Sequence, residues 1–279
     1  MNYKCLGLLY TRKCTENCTI CCFNCSPKRH EKMHKKDAIK FIKAAIDNGI
    51  RYIGISGGEP FIYLDEIEEI MNYFRDECIF NITTNGFWAI EKGKTRNILE
   101  RLVNNNLVTL KISIDKYHLA NISINNMKNI LNESKKIGLK VVVGTTILKN
   151  DDIGKLITEL KEELISTGIF IHPCYKFGRA SIYFDDIDFI YDNEIKIRCP
   201  EGNIITIDYN GNIYPCGSIF AIEASRCAGN FFEAKFTDLM RNCINICPDI
   251  NELNKYYNET RFMNNYIDSC NVCYKYYQN

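Results

Sequence analysis

Three thiols near the start of the chain stand as Cys14-Thr15-Glu16-Asn17-Cys18-Thr19-Ile20-Cys21, a C-x3-C-x2-C spacing. Thiolate is the protein ligand that iron–sulfur clusters take. An iron–sulfur cube has four iron corners, so three thiolates leave one iron open to an outside ligand. Open coordination is what separates a reactive metal site from a structural one. Zinc sites favour paired C-x2-C units or Cys/His mixtures. Cys22 and Cys25 lie close by, so a zinc site on Cys18, Cys21, Cys22 and Cys25 stands beside the iron–sulfur reading. Further along comes Ser56-Gly57-Gly58-Glu59-Pro60. Paired glycines let a backbone approach a ligand and expose its amides, and Glu59 adds a carboxylate able to accept from an ammonium. The plain reading of Gly-Gly is a strand-to-helix turn.

The elements that must position these groups alternate along the chain. Strand patterns cover Leu6–Tyr10, Tyr52–Ser56, Ile79–Thr83, Val108–Ile114, Leu139–Ile147 and Ile169–Cys174. Helical spacing covers Lys36–Asn48, Leu64–Phe74, Lys94–Asn104, Asn125–Lys136 and Ile153–Ile165. Serial alternation with short connections implies an α/β fold, a parallel sheet with helices outside it. Six units are too few for the closed eight-stranded barrel, and an open, partial (β/α)6 barrel is expected. Residues at the C-terminal ends of barrel strands face the site. They include Asn85 after strand three, Ser113 and Asp115 after strand four, and Cys174 closing strand six. Either Ser113 or Asp115 could equally cap a helix. His118 reads as a polar loop histidine and Trp88 as core.

After Cys174 the pattern breaks. Ile204–Ile207, Asn210-Gly211 and Asn212–Tyr214 read as a β-hairpin with an Asn-Gly turn. The expected division is a barrel over 1–185 and a small β-hairpin plus helix module over 186–279. Cys199 and Cys216 flank the hairpin, and Cys270-Asn271-Val272-Cys273 adds a C-x2-C pair near the end. Two separated ligands and one close pair make four, enough for a second metal centre. Zinc and iron–sulfur both fit that count.

The 279 residues carry 15 cysteines, 35 Lys+Arg and 34 Asp+Glu. A balanced charge gives no nucleic-acid footprint, and no stretch has the apolar length of a membrane span. The N-terminus shows no signal-peptide core. Many cysteines without an export signal point to the reducing cytoplasm and to metal or redox chemistry.

With C-x3-C-x2-C followed by Gly57-Gly58-Glu59 at the second strand, the chain resembles the radical S-adenosylmethionine (SAM) superfamily. The resemblance implies a first [4Fe–4S] cluster on Cys14, Cys18 and Cys21. SAM would chelate its open iron and be cleaved to a 5′-deoxyadenosyl radical. It further implies SAM contacts by Gly57, Gly58, Glu59, Asn85, Ser113, Asp115 and, from Gly178-Arg179-Ala180, Arg179. Ile20 stands where the superfamily usually carries an aromatic residue against adenine. Cys199, Cys216, Cys270 and Cys273 resemble the ligand set of the "twitch" module, a shortened SPASM domain, and imply one auxiliary [4Fe–4S] cluster.

Within the superfamily the chain is similar to radical SAM peptide epimerases of the epipeptide type. The similarity includes Cys21-Cys22-Phe23, Asn85-Gly86-Phe87-Trp88, Ile112-Ser113-Ile114-Asp115, Cys199-Pro200 and Gly211-Asn212-Ile213-Tyr214-Pro215-Cys216. It implies Cα epimerisation of a ribosomally made peptide, with a thiol returning hydrogen to the carbon radical. Gly217 occupies the position that carries the donor cysteine in that group, so Cys227 and Cys174 are the donor candidates. Oxidative peptide cross-linking, and alcohol dehydrogenation as in the twitch enzyme of aminocyclitol biosynthesis, are the alternative outcomes. The expected partners are a peptide substrate and a reductant such as flavodoxin or ferredoxin, with no nucleic acid and no membrane.

Overall fold

The structure, a computed structural model, describes residues 3–192 and 194–278. The first half runs β1 (Cys5–Thr11), α1 (Lys35–Asp47), β2 (Tyr52–Gly57), α2 (Leu64–Tyr73), β3 (Ile79–Thr84), α3 (Lys92–Asn104) and β4 (Leu107–Ser113). It continues with α4 (Ile124–Lys136), β5 (Lys140–Ile147), α5 (Gly154–Glu159), β6 (Gly168–Pro173) and α6 (Ala180–Tyr183). Strands β1 to β6 pair in sequence order, each parallel to the next. This is the open parallel (β/α)6 arrangement that the alternation predicts.

The two-residue period of the strands sorts their side chains. Leu6, Leu8 and Tyr10 of β1, Ile53 and Ile55 of β2, Phe80 and Ile82 of β3, and Leu110 and Ile112 of β4 are buried. They form one core with helix residues such as Phe41, Ile70, Leu99 and Met127. The alternate residues line the inside of the barrel, where small and polar side chains are matched. A Cβ at Gly54 would stand 3.1 Å from Asn81 Oδ1, one at Gly144 2.8 Å from Lys111 Cε, and one at Gly7 3.1 Å from Thr206 Oγ1. Glycine on one strand thus makes room for a polar side chain on its neighbour, and the interior holds polar groups instead of a greasy plug.

Two details differ from the sequence expectation. The helix predicted over Ile153–Ile165 ends at Glu159. Little of it is covered: no residue of α5 is buried, Ile157 and Ile165 are exposed, and of the predicted span only Leu160, just past the end of α5, is buried in the core. Helical stability comes mainly from packing an apolar face, so the segment breaks into turns. For the same reason β6 stays uncovered, with Ile169, Phe170 and Ile171 exposed.

The remainder comprises β7 (Ile204–Asp208), β8 (Asn212–Tyr214), α7 (Ile219–Glu223), β9 (Gly229–Asn230), α8 (Phe236–Asn245), α9 (Ile250–Thr260) and α10 (Ser269–Tyr276). The Asn-Gly hairpin forms between β7 and β8. Gly211 takes φ +84°, and Asp208 Oδ1 accepts from the amides of Asn210 and Asn212. Strand β7 pairs parallel with β1, so the hairpin extends the barrel sheet to nine strands, in the order β6-β5-β4-β3-β2-β1-β7-β8-β9. A second small core of Ile197, Leu253, Tyr257, Tyr266 and Val272 packs the last helices together. Among the described residues no helix is long and apolar enough to cross a membrane.

Candidate active site

The cysteine loop leaves the C-terminal end of β1 and is clamped from two sides. On the first, the amides of Gly58 and Glu59 donate to the carbonyls of Thr11 (2.6 Å) and Lys13 (2.8 Å). A Cβ at either Gly57 or Gly58 would overlap the backbone of Thr11 or Lys13. The sequence predicts these amides to be exposed to a ligand. The amides of Gly58 and Glu59 instead fasten the loop to β2, and glycine is needed because backbone meets backbone. On the second side, Gly178 (φ +57°) lies against the carbonyls of Cys21 and Cys22. Arg179 donates its amide to the Cys21 carbonyl (3.1 Å) and its Nε to the Cys18 carbonyl (2.8 Å). Arg179 is therefore engaged with the loop that carries the thiols, while its guanidinium keeps further donors.

Glu59 is fully buried. Its carboxylate accepts from the Phe61 amide (3.0 Å), the Thr84 hydroxyl (2.8 Å) and the Asn85 amide (2.7 Å). Burial pushes its pKa up to about 7 against those three donors. Asn85 hangs from this carboxylate and sends its Nδ2 to Thr15 Oγ1 (3.0 Å) and toward Cys14 Sγ (3.7 Å). The loop after β3 is held in turn by α4, whose Asn126 and Asn129 amides donate to the carbonyls of Gly86, Phe87, Ala89 and Ile90.

The thiols receive donors as well. Glu16 N–H points at Cys14 Sγ and Cys25 N–H at Cys21 Sγ, both at 3.4 Å. Such N–H···S contacts are the ones that support cluster-bound sulfur, so the donor set fits the cluster that the spacing calls for. Burial raises Cys14 and Cys18 to about 12. Cys21 is held down to about 6, first by a hydrogen bond from the buried Cys25 thiol and, further down, by the Arg179 charge. Cys25 is pushed up correspondingly, by Cys21 before burial. Cys22, raised by burial and by Cys21 and Cys174, packs on the other side of the loop, against Gly178.

Asp115, buried beyond β4, accepts from the amides of Tyr117 and His118 (3.0 Å each) and meets His118 Nδ1 at 2.9 Å. Burial opposes a charged His118 ring, yet Asp115, Cys21 and Glu59 together hold its pKa above the ordinary histidine value. The sequence reading took His118 for a loop histidine, and the i, i+3 spacing from Asp115 was the available signal. Ser113 ends β4, paired with Gly144 of β5, on the inward face. Cys174 is buried beside Cys18, Ile20 and Tyr117, and burial raises its thiol to about 12. Cys227 is exposed, its Sγ 3.3 Å from the Gly229 carbonyl oxygen.

A second thiol group lies in the C-terminal part. Cys199, Cys216, Cys247, Cys270 and Cys273 rim a small cavity of about 50 Å³ together with Arg226 and Glu201. Cys270 and Cys273 share one face of α10 by their i, i+3 spacing. Cys247, which follows α8, was left without a role by the sequence reading. Its helix mate Cys243 is buried in the barrel core and does not reach the cavity. Among the described residues no three His, Cys, Asp or Glu side chains are drawn in tightly enough to hold a single ion.

A half-open parallel barrel with a thiol loop at the end of its first strand defines an iron–sulfur enzyme of the (β/α)6 class. The Radical SAM superfamily model matches residues 8–162, more than half of the chain, and the chain belongs to that superfamily of enzymes. SAM and one [4Fe–4S] cluster are its implied cofactors. YydG of Bacillus subtilis (strain 168), a protein named for peptide biosynthesis, is 27% identical over 85% of this chain and 73% of its own. A GTP 3′,8-cyclase of Campylobacter jejuni is 30% identical over 53% of this chain and 49% of its own, so the chain spans about half the length of the cyclase. Streptococcus suis SuiB, solved with its precursor peptide SuiA, superposes with a TM-score of 0.64 at 17% identity. That match covers 86% of this chain and 64% of SuiB. The enzyme anSMEcpe with bound AdoMet gives a TM-score of 0.58 at 14% identity, covering 86% and 80% of the two chains. The SuiB and anSMEcpe structures share the fold.

Proposed function

We propose that this chain modifies a ribosomally made peptide by removing a backbone Cα hydrogen, and that the leading outcome is epimerisation of an L to a D residue. The observation that carries the peptide reading is the similarity to YydG along 85% of the chain. The SuiA-bound SuiB structure adds that this fold admits a precursor peptide. Cys14, Cys18 and Cys21 would hold the first cluster. Gly57, Gly58, Glu59, Asn85, Ser113, Asp115 and Arg179 would surround SAM. When bound, cluster and SAM supply a 5′-deoxyadenosyl radical.

The chain's own residues then shape the outcome. Glu59 and Arg179 keep the thiol loop rigid by the bonds described above. The polar barrel interior, with Asn81, Lys111 and Thr206 facing glycines, offers partners to a peptide backbone. Cys174 is the thiol assigned to return hydrogen. A hydrogen-atom donor must carry its proton, and burial keeps Cys174 protonated at neutral pH. It lies on the thiol loop's side of the barrel mouth, whereas Cys227 is on the surface.

Oxidation, by cross-linking or dehydrogenation, is the second reading, favoured by the cavity of five thiols. There Cys199, Cys216, Cys270 and Cys273 would hold an auxiliary [4Fe–4S] cluster. Its fit rests on an orphaned group: Nε and Nη2 of Arg226 are buried without an acceptor beside these thiols.

The test uses anaerobically reconstituted protein, SAM, dithionite and a candidate precursor peptide, in deuterated water. Epimerisation adds one deuteron to the peptide, and oxidation removes two mass units. Cys174→Ser is expected to keep releasing 5′-deoxyadenosine while D-residue formation falls at least about tenfold, the ordinary scale for loss of a transferring group. Retention of full epimerisation by that variant would remove Cys174 from the reaction.

A further inference from the structure

Arg226, one of two arginines that line the cavity of five thiols, is short of partners. Helix α7 ends at Glu223, and Ser225 takes a left-handed φ of 53°, a conformation that is uncommon outside glycine. The turn is closed by the Arg226 amide on the Ala221 carbonyl (2.9 Å), and it delivers the Arg226 side chain into the cavity. The guanidinium lies flat on the Tyr277 ring, its Cζ 3.7 Å from the centroid. Tyr277 is itself fixed by its hydroxyl on the Ile246 carbonyl (2.8 Å). Nη1 reaches Cys273 Sγ at 3.5 Å. Nε and Nη2 have no acceptor, although both are shut off from water.

Buried donors are nearly always paired, and leaving one unpaired costs its full desolvation. An arginine held by a ring stack and a strained turn, with free N–H groups facing thiols, is placed for an acceptor that arrives later. The acceptor chemistry is anionic sulfur. We infer that Arg226 is a positioning residue that sets the redox poise of the auxiliary centre. Its charge and N–H···S bonds favour the more negative, reduced form. Net charge and hydrogen bonds to sulfur are two of the determinants of a cluster's potential. The inference rests on the reading of this cavity as a cluster site.

The test separates the two. In a Cys14→Ala/Cys18→Ala/Cys21→Ala background the first cluster is removed, and iron and sulfide bound per chain report the auxiliary centre alone. An iron-free background chain overturns the cluster reading and, with it, the role of Arg226. If iron is present, Arg226→Met and Arg226→Gln are titrated by EPR against dithionite-poised mediators. The expected result is an unchanged iron content with a ratio of reduced to oxidised centre at least about tenfold lower at fixed poise, about 59 mV for one electron. Unchanged iron and an unchanged ratio overturn the inference. Loss of iron from both variants also overturns it, in favour of a purely structural part. If one variant retains iron, its ratio decides.

Discussion

At the scale of single residues, the site is built from buried carboxylates whose acceptors are filled by backbone. Glu59 gathers Phe61, Thr84 and Asn85, and Asp115 gathers Tyr117 and His118. The Asp115–His118 pair makes stability depend on pH. The folded ring has a raised pKa, so its contribution is fully present below the unfolded value of about 6.5 and is lost as pH climbs through the higher folded value. In Asp115→Asn the Tyr117 and His118 amides keep an acceptor, but the carboxylate charge is gone. The thermal midpoint of the cluster-free protein is expected to fall from pH 6.5 upward in the wild type and to run nearly flat in the variant. Parallel profiles would show that the ring is not charged in the folded state. Only the i, i+3 spacing of Asp115 and His118 hinted at this pair in the sequence. Asp115 was marked by its place after a strand, but nothing in Tyr117-His118 tells whether a loop ring turns outward or back onto a carboxylate three residues earlier.

At the scale of elements, the strands were legible because their apolar residues alternate against helices with matching faces. Every barrel strand read from the pattern lies within two residues of its bounds in the structure. The helix that fell short, α5, is the one with no buried residue of its own, Leu160 reaching the core only after the helix has ended. The two glycine pieces flanking the thiol loop were legible as motifs but not as contacts. Gly57-Gly58 was read as a ligand cradle, and its fit against Thr11 and Lys13 depends on a loop whose path the sequence does not specify. Gly178 is the sharpest test of that clamp. In Gly178→Ala the new methyl group would overlap the Cys21 and Cys22 carbonyls at a positive φ, which costs about 2 kcal/mol. The apo protein is expected to melt about 4–8 °C lower and to take up less iron in the first site. A variant with unaltered melting and iron would show that the loop is held from the β2 side alone.

At the scale of the whole molecule, the spacing of the C-terminal cysteines made it legible that Cys199, Cys216, Cys270 and Cys273 could meet, and in the fold they line one cavity. The fifth thiol and Arg226 were not legible, because they come from separate turns that meet only in the folded state. The division into a barrel over 1–185 and a module over 186–279 cuts across one continuous sheet, because β7 is the partner of β1. Ile205 and Ile207 belong to the same buried core as Leu6 and Leu8. A chain ending at residue 185 is expected to lose cooperative unfolding in urea, and the full chain to show one transition in both far-UV and near-UV signals. A sharp transition in the truncated chain would mean that the barrel stands without its seventh strand.

That pairing also governs the order of events on the ribosome. The hydrogen-bonding edge of β1 that β7 will occupy is made first, and its partner emerges roughly 200 residues later, after about 10–40 s at ordinary rates of synthesis. Throughout that interval the newborn chain carries an open strand edge beside its most reactive thiols. Protection from sticking and from oxidation must therefore come from outside the chain until the final third has left the tunnel.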